Sequence, residues 1–195
     1  MRYAGWLLLG LAAWGCTRQQ SERDASGADT VAARPGSAEP GKKANPALVG
    51  TIERLPLIEP AYKDTVRWNT PPADDASMAG LLDGLSLRFL TQGETRPRVS
   101  LLHRLDVSTA FYAVVVSYQP SENERKNYLV TYSRNLDRID TCLVATDEIA
   151  EGILSAYSVI NGNAIERHAF NYTNEEAPET VKRFVITGRG EIVEK

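Results

Sequence analysis

The chain has two cysteines and two histidines in 195 residues, and no apolar run as long as a bilayer is thick. Each scarcity excludes a class of protein. Two cysteines cannot form a disulfide framework. The histidines, His103 and His168, stand in no H-E-x-x-H spacing and predict no metal centre. The apolar run from Trp6 to Gly15 has ten residues, whereas a spanning helix needs about 20. A basic stripe is also missing. Residues 50–195 carry 16 Lys and Arg against 21 Asp and Glu, with the two signs interspersed, so nucleic acid is not an expected partner. There is no G-x-S-x-G elbow or S-x-x-K pair. The glycines of "TGRGE" precede a short terminal strand rather than a phosphate-binding helix.

What is present begins at the N-terminus. Arg2 precedes the apolar run and small residues close it, which are the three regions of a secretory signal peptide. The run ends in "LAAWGC", which resembles the lipobox of bacterial lipoproteins, with Ala13 where leucine is commonest and a bulky Trp14 at the tolerant position. The resemblance implies cleavage after Gly15, a diacylglycerol on the Cys16 thiol and acylation of the new amine. One acyl chain anchors only marginally, whereas several hold a protein to a membrane without spanning it. Thr17, rather than Asp, follows the cysteine; in that family this implies the outer membrane of a Gram-negative host. The expected location is therefore the bacterial cell envelope, facing the periplasm, with the membrane as a partner through the lipid. Lipidation of Cys16 leaves Cys142 alone in "RIDTCLVAT", where it reads as a small buried hydrophobe.

Residues 16–48 follow as a tether. From Thr17 to Leu48 the chain is rich in Ser, Gly, Pro, Ala and mixed charge, without one aromatic residue, and cannot bury enough apolar surface to offset the entropy of ordering. Its reach is on the order of 30 Å as a flexible coil. The division is then a signal peptide over 1–15, a lipidated tether over 16–48, and one domain over 49–195, near the commonest domain size.

Within that domain, turn chemistry separates β-rich runs. "FYAVVVSYQ" and "YLVTYS" flank a polar loop as a hairpin, and "RNLD" leads into "RIDTCLVAT". "ILSAYSVI" and "AIERHAFNYT" flank "NGN", whose Asn161-Gly162 pair suits a type I′ turn, and "GRG" joins "TVKRFVIT" to "EIVEK". "RVSLLHRLDV" is a further strand candidate. Met78, Leu81, Leu82 and Leu85 recur at helical spacing behind Asp74 and Asp75, predicting one short helix near 74–86. The expected fold is α+β, a predominantly antiparallel meander of about seven strands with one helix near its start.

The acidic stretches "TDEIAEG" (Asp147, Glu148, Glu151) and "NEEAPE" (Glu175, Glu176, Glu179) lack the calcium-loop register and read as solvated loop charge. No metal or cofactor is expected. Tyr112, Tyr118, Tyr128 and Tyr132 fall on adjacent strands and could gather on one sheet face, as core or as a binding surface. From about 99 to 195, "NYLVTYSRNLDRIDTCLVA" and the hairpins ending in "FVITGRGEIVE" resemble uncharacterised bacterial envelope lipoproteins, with Asp137 near the usual turn glycine. That resemblance implies a sheet topology and a location, and carries no activity.

The sequence thus points to a non-catalytic binding module tethered in the envelope. Its expected partner is an envelope protein or polymer, in an inhibitor, immunity or assembly role. Two alternatives remain: a hydrolase using His103 or His168, and a carrier of an apolar ligand.

Overall fold

The structure, a computed structural model, describes residues 44–59, 61–71, 73–91, 98–149, 152–173, 175 and 178–195. Gly15, Cys16 and the tether up to residue 43 lie outside the described residues, as do Glu151 and Glu176. No helix among the described residues is long and apolar enough to cross a membrane.

Two helices lead into the sheet. Helix α1 (Pro46–Glu53) starts on Asn45, whose side chain accepts the Ala47 N–H, and has proline at its first position. Two short strands follow, β1 (Leu57–Ile58) and β2 (Tyr62–Asp64). Helix α2 (Asp75–Gly84) is capped by Asp74, which takes the Ser77 N–H at 2.8 Å, and a 3-10 turn over Arg88–Thr91 closes this region. The long strands are β3 (Arg98–Leu105), β4 (Phe111–Gln119), β5 (Glu124–Ser133), β6 (Arg138–Glu148), β7 (Leu154–Asn161), β8 (Ala164–Asn171) and β9 (Glu179–Ile186), with a short β10 (Ile192–Glu194) at the end.

From β3 to β10 each strand pairs antiparallel with the next. The mainly β reading therefore stands, but among the described residues the seven-strand meander is corrected to a mixed sheet of ten strands, and the single helix to two. β1 runs parallel to β3, while β2 pairs with β7 out of chain order. Two- and three-residue strands have no periodicity to read. They form because the edges of β3 and β7 carry backbone groups that must be satisfied.

One irregularity shapes the molecule. β6 pairs with β7 only at Thr146↔Ala156 and Asp147↔Ser155, and then parts from it. β2 fills the edge of β7 thus released, at Ser158, Val159 and Ile160. The sheet folds into two layers, and a core packs between them: Val115, Leu129, Cys142 and Val144 against Ile160, Ile165, Phe184 and Ile186. On the outer side of β3, β4 and β5 the helices supply a second core, with Ile52, Met78, Leu82 and Leu85 on Val114, Val116, Val130 and Tyr132. β4 is consequently buried on both faces, which is why "AVVVSY" reads as a continuous apolar run.

The exposed edge of β6 is satisfied by side chains. Ser158 donates its hydroxyl to the Val144 carbonyl at 2.5 Å, and Arg167 Nη1 donates to the Leu143 carbonyl at 3.3 Å. Asp140 Oδ2 accepts the Ile192 N–H at 2.8 Å. The Asn-Gly hairpin also differs from expectation: its loop residues are Gly162 and Asn163, and only Gly162 has positive φ, as a glycine-first turn requires rather than a type I′ turn.

Candidate functional site

Where β6 and β7 diverge, the sheet face opens into a groove of about 590 Å³. The strand register arranges its lining in three rows. In the first, Tyr128 lies opposite Leu143 with Thr141 one pair further in, and Arg167 Nη1 donates to the Leu143 carbonyl. The middle row is Lys126, Thr146, Ala156 and Ala169, each paired with the next across adjacent strands. The outer row sets Glu124 opposite Glu148, with Leu154 at the lip. Phe89 and Leu90 of the 3-10 turn close one wall, and Phe170 lies on the other.

The groove is graded in exposure and charge. Arg167 at the inner end is 3% exposed, whereas Leu154 at the lip is 49% exposed. Carboxylates stand at the open end, and Lys126 is paired to Glu124 at 2.7 Å. Tyr172, also exposed, belongs to the other face of the layer, where it stacks on Phe170 and its hydroxyl meets that of Ser155. The small residues Ala156 and Ala169 keep the floor low, so the space exists because two β-strands place methyl groups where larger side chains would fill it.

Neither histidine lines this groove. His103 lies inward on β3, where burial and then the charge of Arg67 push its imidazole down to about 4. It is therefore neutral at pH 7. Its Nε2 faces Asp64 Oδ1 at 3.7 Å, and Tyr62 packs edge-on to its ring. Asp64 is fully buried; burial pushes its carboxyl up to about 6, partly countered by the Asn127 amide, which donates to Oδ2 at 3.2 Å. Arg125 straps the following segment down, donating to the carbonyls of Arg67 and Thr70, while the Trp68 indole donates to Asp147.

His168 sits on the opposite, outer face of the second layer. Its ring is held from both sides, Nδ1 by Glu179 at 2.7 Å and Nε2 by Glu166 at 3.1 Å, and it stacks on Tyr157 at 4.7 Å between centroids. Arg183 binds the second oxygen of Glu166 and holds that carboxyl below its usual range. An imidazole clamped in this way is a structural link between β8 and β9. The two histidines thus lie on different faces and do not assemble with each other.

The four tyrosines are brought together. Tyr112 pairs with Tyr132 across β4 and β5, and all four face the helical layer. Tyr118 and Tyr132 are buried there, while Tyr112 and Tyr128 are partly buried against the same core. Tyr128 alone also lines the groove. The acidic stretches divide: Asp147 binds Trp68, Glu148 lines the groove and Glu179 holds His168. Among the described residues no group of three or more His, Cys, Asp or Glu could hold a metal.

Sequence reasoning missed Asp64, Asn127, Phe89 and Arg167. Arg167 had a visible signal, because in "AIERHAF" it alternates with Ile165 and Ala169 on the inward side of its strand. Asp64 had none, since its strand is three residues long. Comparison with protein-family models, with curated proteins and with solved structures finds no match for this chain.

Proposed function

We propose that this chain is a lipid-anchored protein of the bacterial envelope whose β-rich domain is a non-catalytic binding module, with the groove between β5, β6, β7 and β8 as its ligand seat. The groove carries the proposal: its volume lies in the range of small-molecule sites, which are mostly apolar with a few placed polar groups. Its walls of Phe89, Leu90, Tyr128, Leu143, Leu154 and Phe170 favour an apolar ligand over a flat protein contact. Among the alternatives weighed on the sequence, this supports the carrier over the inhibitor or assembly role. A non-catalytic reading of the histidines is supported by their placement away from the groove, with His168 clamped between two carboxylates and His103 buried on β3.

A fluorescent reporter whose emission rises on leaving water, 1-N-phenylnaphthylamine, titrated into the full-length protein tests this. Saturable binding of one dye per chain is expected. Ala156→Trp, which fills the floor, should abolish it, whereas Val193→Ser on the distant β10 should leave it unchanged. Equal dye binding by the Trp variant and the parent protein would sink the proposal.

A further inference from the structure

The charge gradient of the groove specifies more than an apolar occupant. Three features bear on it: a cation nine-tenths buried at the inner end, an uncharged middle apart from the paired Lys126, and two carboxylates facing each other at the open end. An anionic group placed at the mouth would meet Glu148 beside the Lys126–Glu124 pair, and like charges repel most where water is partly excluded. The same group at the inner end meets Arg167, whose planar fork matches a carboxylate in geometry. Arg167 is already engaged, at the Leu143 carbonyl and over the Phe184 ring among its contacts, and a carboxylate would share it, since a guanidinium has five N–H donors and serves several acceptors at once.

Between these ends the walls are suited to a chain rather than to a compact ring system. Lys126, Thr146, Ala156 and Ala169 lie on one line across four strands, and the path past them ends at the exposed side chain of Leu154. An alkyl tail reaching the mouth lies against the exposed Leu154 side chain.

We infer that the groove takes a single-chain amphiphile with a carboxylate head, its head held at Arg167 and its chain running outward past Ala156 to the Leu154 lip. This rests on the groove being the ligand seat, as proposed above, and adds the head group and the direction. The orientation is head-in. Arg167 is a positioning cation here, and Glu148 selects against the reversed pose.

Isothermal titration of the full-length protein with laurate, 1-dodecanol and dodecyltrimethylammonium separates the two claims, because the three share a chain and differ in head charge. Laurate is expected to bind about tenfold or more tighter than dodecanol, the step that one charge-assisted hydrogen bond contributes. Arg167→Gln should remove that preference, and Arg167→Lys should restore part of it. Laurate no tighter than dodecanol, or the ammonium the tightest of the three, would overturn the inference while leaving the groove as the seat. Failure of all three to bind would remove both. The comparison on the unsubstituted protein decides the matter even if the Arg167 variants do not fold.

Discussion

Asp64 Oδ1 and His103 Nε2 face each other across 3.7 Å in the buried space beneath β2, and neither atom has a hydrogen-bond partner among the described residues. Their titrations oppose one another. The folded pKa of Asp64, about 6, lies above its ordinary 3.8, so its contribution is fully favourable below 3.8 and is lost as pH rises through 6. That of His103, about 4, lies below its ordinary 6.5, so its contribution is present above 6.5 and is lost as pH falls through 4. Each shift of roughly two units corresponds to on the order of 3 kcal/mol. Between pH 4 and 6.5 the two slopes largely cancel.

Asp64→Asn should therefore gain on the order of 2 kcal/mol at pH 7.5 and almost nothing near pH 4. The variant retains an acceptor for Asn127 and a donor for His103. Urea unfolding at pH 4, 5.5 and 7.5 checks this: the parent protein is expected to be flat across that range for this pair, and the variant to lose stability toward acid as His103 titrates unopposed. A variant less stable than the parent at pH 7.5 would contradict the argument.

Tyr132 is fully buried, burial pushes its phenol up, and its hydroxyl has no partner among the described residues. Removing an unsatisfied buried hydroxyl while keeping the ring recovers its desolvation cost, of about 1 kcal/mol. Tyr132→Phe should leave the protein as stable or more so in thermal unfolding, and Tyr132→Leu should cost about 2 kcal/mol through lost packing against Val114 and Val130. A destabilised Phe variant would show that the hydroxyl works in a hydrogen bond.

Gly190 has φ of +87°, and a Cβ there would lie 2.8 Å from Ile139 Cδ1 and 3.3 Å from Phe111 Cγ. Its carbonyl accepts the Thr131 hydroxyl at 2.6 Å, which ties the last hairpin to β5. Gly162, with φ of +58°, has nothing within 4 Å of the same position. Gly162→Ala is expected to lose about 1 kcal/mol from backbone strain alone. Gly190→Ala should lose about 2–3 kcal/mol, because strain and crowding add; equal losses in denaturant midpoints would show that Ile139 moves aside at no cost.

Cys16→Ala tests the anchor. Mass spectrometry of the chain from envelope fractions should show the lipid on the parent protein and its absence from the variant, which should also leave the membrane fraction. Unchanged mass and unchanged fractionation would end the lipoprotein proposal.

The sequence by itself determined what short-range chemistry decides. Strands β4 to β9 were legible because turn residues and strand residues alternate within ten positions of each other, and α2 because Asp74 caps a run of apolar residues at helical spacing. The left-handed residue of the turn after β5 was not legible. It is Leu136, at φ +64°, rather than Asn135 or Asp137, because its side chain is buried beneath the helices and packing fixes a conformation that local preference opposes. Similarly, the alternation of β5 placed Tyr128 and Tyr132 on one face, but nothing local says that helices cover that face. Only the tertiary structure decided where β6 leaves β7, that β2 enters the gap, and that Arg167 and Tyr128, far apart in the chain, line one groove. Hairpin pairing follows from neighbours in sequence, whereas the parting of two strands depends on how whole layers pack across the core, and no window of sequence contains both sides of that contact.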